Sequence, residues 1–179
     1  MQNMKTLAPT IVSALQAVEQ GCRKIQHDPQ FQLNMDEWLF VGQNSCFGCL
    51  ATATLLQLTN KSGKDIMERT AMDDGTHETS VFDRSLAYEI EIEAVYNPRK
   101  LLCQFEKAID CLRRKDLLPL LRFYGLENHQ HANEAVAWLL NSPIETLGDD
   151  TTKEDVNHYA DFLKEVLIPK LQQWFAEGK

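Results

Sequence analysis

The run Cys46-Phe-Gly-Cys-Leu-Ala-Thr-Ala-Thr-Leu-Leu-Gln-Leu58 constrains the fold more than any other stretch, because none of its residues carries a charge. Helical spacing puts Cys46, Leu50, Ala53 and Gln57 on one line, with small or apolar residues on the neighbouring lines. A helix that is apolar on nearly every face is buried on several sides. Ser45 stands at the N-cap position, and Lys61-Ser62-Gly63 supplies a stop. The spacing therefore predicts a buried central helix over about 46–60.

The flanking segments are amphipathic and suited to wrap such a helix. Ile11, Leu15, Val18, Cys22 and Ile25 recur at steps of three and four, predicting a core-facing helix over 9–26. Asn34-Met-Asp-Glu37 resembles a capping box ahead of a short helix at Trp38-Leu-Phe-Val41. Ser62 to Asp65 restarts a short helix through about Ala71. Residues 86–94 alternate Tyr88, Ile90, Ile92 and Ala94 with Glu89, Glu91 and Glu93, as a strand would. The same stretch also fits a helix through Val81, Ser85, Tyr88, Ile92 and Val95, and helix is preferred, since no second alternating run offers a partner.

Pro98 opens a helix to about Arg114. Asp116 caps another over 117–124 that Gly125 closes, and 128–140 forms the next. An acidic, turn-rich connector, 144–152, precedes a last helix capped by Thr152, with Val156, Tyr159, Phe162, Leu163, Val166 and Leu167 inward. Pro169 should kink or interrupt it before Trp174 and Phe175, which read as core. The fold class expected is all-α: a single-domain bundle, 1–179, of six to eight mostly short helices, with 86–94 the one candidate strand.

Charge excludes several functions. A net charge of −8 argues against nucleic-acid binding, which needs a basic footprint, and against an anionic membrane surface. No apolar run approaches the ~18 residues of a membrane span, and the opening residues lack a secretory pattern, so a cytoplasmic address is expected. The five cysteines then read as reduced, buried thiols. Basic residues nevertheless concentrate at Arg99, Lys100, Lys107, Arg113, Arg114, Lys115 and Arg122, which read as a docking face for an acidic protein partner.

Candidate chemistry centres on Cys46 and Cys49. A Cys-x-x-Cys at a helix N-terminus gains thiolate character from the free amides and the macrodipole. The chain is similar in length and in this motif to mostly helical peroxidases of the alkylhydroperoxidase-D type. Their motif places a His four residues after the second cysteine, where this chain has Ala53, so that activity does not carry over. Gln43-Asn-Ser-Cys-Phe-Gly-Cys49-Leu-Ala51 resembles the nucleophile motif of papain-type cysteine proteases. The resemblance implies an oxyanion-hole role for Gln43 and a nucleophile role for Cys49; Phe47, Gly48 and Leu50 depart from that pattern. His129, His131 and His158 are the late histidines available as a base.

Metal ligation has two weaker sources. His129-Gln-His131 could join the cysteines only from a loop, because its spacing splits the rings across a helix. Asp73, Asp74, His77 and Glu78 lack ordered cation-loop spacing and read as a solvated turn. No metal or cofactor is therefore expected. The reading favoured by the sequence is a non-catalytic binding or regulatory module; the alternative is a thiol-based enzyme using Cys46 or Cys49.

Overall fold

A computed structural model describes residues 10–37, 39–42, 44–67 and 98–176. Helix α1, Ile11–Ile25, begins at a reciprocal cap: the Ser13 amide donates to the Thr10 hydroxyl at 3.1 Å, and the Thr10 amide to the Ser13 hydroxyl at 3.1 Å. The predicted stripe, Ile11, Leu15, Val18, Cys22 and Ile25, is buried in full.

The chain then departs from an all-α plan. Strands β1 (Phe31–Leu33), β2 (Leu39–Val41) and β3 (Cys46–Gly48) form a small sheet ordered β1-β3-β2. β3 is central, parallel to β1 with Phe31 opposite Cys46, and antiparallel to β2 with Val41 opposite Cys46. Asn34 does not start a helix; its side chain accepts the Asp36 amide at 3.0 Å and turns the chain into β2. Cys46 donates its amide to the Gln30 carbonyl at 2.8 Å, so its backbone is committed to the ladder. A short apolar run satisfies strand and helix periodicity alike, and here strand partners decide.

Helix α2 is therefore Leu50–Thr59, four residues later at its start than expected, with Cys49 rather than Ser45 at the N-cap. It ends at Asn60, whose left-handed φ of 54° lets the Lys61 amide return to the Leu56 carbonyl at 2.9 Å. Its burial is as predicted: Leu50, Ala51, Thr52, Ala53, Thr54, Leu55 and Leu56 are all inside. The Thr54 hydroxyl is satisfied by the Leu50 carbonyl at 2.7 Å. α1 makes its most extensive helix contact with α2. That approach is close because Gly21 has no side chain: a Cβ there would lie 2.8 Å from the Thr54 Cα.

After α2, Ser62 and Asp65 cap a helical stretch over 63–67 at the predicted start, and the remainder of the expected helix, 68–71, lies outside the described residues. Buried Asp28 accepts the Gly63 amide at 2.7 Å and the Gln30 amide at 3.1 Å, tying this turn to the α1–β1 connection. Residues 86–94, with their strand-or-helix alternative, lie outside the described residues.

Helix α3, Pro98–Arg114, starts at the predicted proline and packs on α1 and α2. Asp116 accepts the Leu118 amide at 3.0 Å ahead of α4, Leu118–Phe123, and Gly125 closes it at a φ of 69°. Helix α5, Ala132–Leu140, is shorter than predicted, since 128–131 form a turn. The connector 144–152 has no regular structure but is anchored: Leu147 is buried and its amide reaches the Leu112 carbonyl at 3.4 Å.

The C-terminal run comprises α6 (Val156–Phe162), a π-helical turn (Leu163–Leu167), α7 (Ile168–Leu171) and a second π turn (Gln172–Ala176). Asp155 rather than Thr152 is its N-cap, and the Asp155 carboxylate accepts both the Thr152 amide at 2.9 Å and the Thr152 hydroxyl at 2.7 Å. Pro169 lacks an amide hydrogen, and its ring would meet the carbonyl four residues back in a regular helix. The wider turn just before it opens that space, with the Ile168 amide bonding to the Leu163 carbonyl, so the interruption takes the form of a π turn. The predicted inward stripe holds except at Val166, which is 42% exposed. Trp174 and Phe175 are core, as expected. No described helix is long and apolar enough to cross a membrane.

Candidate functional site

The two cysteines of the Cys-x-x-Cys have different environments. Cys46 sits in the central strand with no exposed surface. Its thiol is pushed up to about 12, first by burial and then by the nearby negative charge of Asp28. The helix-terminus stabilisation expected for Cys46 is lost because the residue is not on a helix. Cys22 is likewise pushed up to about 12, and Cys111 is raised as well, again mainly by burial. Buried thiols of this kind stay protonated and inert near neutral pH.

Cys49 is half-buried and stands at the N-cap of α2 with φ −77° and ψ 175°. Its sulfur makes no cap bond and lies 3.9 Å from the Thr52 hydroxyl. It opens on a cleft of about 170 Å³ between the β1–β2 turn and α3, lined by Asp36, Glu37, Glu106, Asp110 and Arg113 among others. Burial, and then Asp110, hold the Glu106 carboxyl above its ordinary range. Carboxylates dominate this lining, whereas a reactive thiol uses an electropositive setting. Cys46 and Cys49 are both free thiols.

Gln43, the proposed oxyanion residue, lies outside the described residues, so its pairing with Cys49 does too. No histidine lines the described cleft. Ala53, at the position where the peroxidase motif has its His, is fully buried. His158 is exposed on α6 and lines a different cleft, beside Tyr159.

His129 and His131 meet the condition that the sequence set for them, since both lie in the turn before α5, with ring centroids 5.6 Å apart. Three of their four ring nitrogens are already engaged. The His131 amide donates to His129 Nδ1 at 3.2 Å, His131 Nδ1 faces Glu134 at 3.3 Å, and His131 Nε2 faces the Gln130 amide at 3.2 Å. The described residues contain no group of three side chains arranged to hold a metal ion. The cluster Asp73, Asp74, His77 and Glu78 lies outside them.

The basic face divides. Arg113 turns to Asp149, and Lys115 donates to the Ser142 carbonyl at 2.5 Å, so these two hold the 141–149 segment against the end of α3. Lys107 is half-buried and Arg114 and Arg122 are exposed; none of the three joins an ion pair among the described residues. Arg99 and Lys100 fall in the first turn of α3, with side chains outside the described set.

Three features had no reading in the sequence. Lys153 donates to the carbonyls of Asp28 and Phe31, the latter at 3.2 Å, and so ties the approach to α6 to the start of β1. A cleft of about 500 Å³ lies between the 144–151 loop and α6, lined by residues including Glu145, Asp150, Asp155, His158 and Tyr159. Trp138 of α5 stacks on Phe162 of the C-terminal run at 6.5 Å and meets Trp174 edge-on at 5.7 Å, with the Lys170 ammonium 5.1 Å from the Trp174 ring. The acidic character of 144–152 and the inward readings of Phe162 and Trp174 were the only advance signals, and neither named these contacts.

No family model, no curated protein and no solved structure matches this chain.

Proposed function

We propose that this chain is a non-catalytic binding or regulatory module that meets an acidic protein partner through the basic face of α3 and α4. The observation that carries the reading is that Lys107, Arg114 and Arg122 are left without an ion pair among the described residues, in a chain of net charge −8. Steps of seven put Lys100, Lys107 and Arg114 on one side of α3, a span of roughly 21 Å at the rise of a helix. A carboxylate-bearing surface of that length complements such a line, with charge steering the encounter and fixing register. The burial of Cys46 supports the same reading, because it puts one of the two candidate thiols out of reach of a substrate. The free thiols suit a reducing, cytoplasmic setting.

The test is a calorimetric titration with a decaglutamate peptide at low ionic strength, comparing the native chain with a K107E/R114E/R122E variant whose helicity is checked by circular dichroism. Saturable binding that weakens with salt, and falls at least about 10-fold in the variant, is the expected result. Equal binding by both chains, or none by the native chain, overturns the proposal.

A thiol-based enzyme is the second reading, favoured by the partial exposure of Cys49 at the N-cap of a ten-residue helix. Iodoacetamide labelling at neutral pH, mapped by mass spectrometry, separates the two. Labelling of Cys49 faster than a free cysteine peptide supports the enzyme; labelling at or below that rate removes it.

A further inference from the structure

We draw no further inference here: the strongest candidate, the cleft of about 500 Å³ between the 144–151 loop and α6, rests on the exposed acidic cluster Glu145, Asp150 and Asp155 in its wall, and no buried, unpartnered polar side chain among the described residues lines it to name a ligand.

Discussion

Gly21→Ala is the sharpest test of how α1 meets α2. In an exposed helix this change stabilises by about 0.5–1 kcal/mol, because glycine loses more backbone freedom on folding. Here the added Cβ would stand 2.8 Å from the Thr54 Cα, 2.8 Å from its hydroxyl and 3.0 Å from its amide nitrogen. Two of those three atoms are backbone, so no rotamer change relieves the clash; the helices must separate. Overpacking of this kind costs about 1–3 kcal/mol. Taken at their midpoints, the overpacking term exceeds the propensity gain and leaves a net loss of about 1 kcal/mol, or a fall in Tm of about 2–4 °C for a chain of this length. Urea titration followed by circular dichroism reads the difference directly. Removing the Thr54 hydroxyl in a Gly21→Ala/Thr54→Ala double variant should recover only a minor part of the loss, since the backbone contacts persist. A Gly21→Ala variant as stable as the native chain, or more so, would refute the close approach of α1 and α2 and the packing built on it.

Two other outcomes follow from burial. Leu56→Ala should lower stability by about 2–5 kcal/mol in a urea titration, since the side chain is 2% exposed within the core; a loss below about 1 kcal/mol would mean that α2 is not enclosed. Stability should also fall above pH 9. Cys46 and Cys22 are pushed from an ordinary value near 9 to about 12, so the folded state keeps a proton that the unfolded state releases between those limits. Their contribution is complete below pH 9 and is lost as pH rises toward 12, at about 1.4 kcal/mol per pH unit for each thiol. A Cys46→Ala variant should therefore show a shallower decline between pH 9 and 10.5, and an unchanged slope would contradict the burial of that thiol.

Local chemistry in the sequence was sufficient wherever one segment decided its own conformation. The stripe of α1, the proline start of α3 and the Asp116 and Gly125 limits around α4 all depend on neighbours within a few residues, and each appears as the spacing implies. The burial of Leu50 to Leu56 was legible for the same reason: an uncharged run has no face to offer water.

Tertiary partners decided the remainder. Cys46 to Gly48 is a strand because the backbone around Phe31 and Leu39 to Val41 satisfies its hydrogen bonds, and nothing within 46–58 announces those distant partners. That one change moved Cys46 from a helix start, where amides would favour its thiolate, into a buried ladder that holds its proton. It also gave Cys49 the N-cap and a cleft shared with Asp36 and Glu106, residues remote in the chain. Periodicity records which residues avoid water, but which groups meet across the core depends on backbone pairing and close approach, such as Gly21 against Thr54. Those are properties of the folded chain, and they set the environment of both thiols.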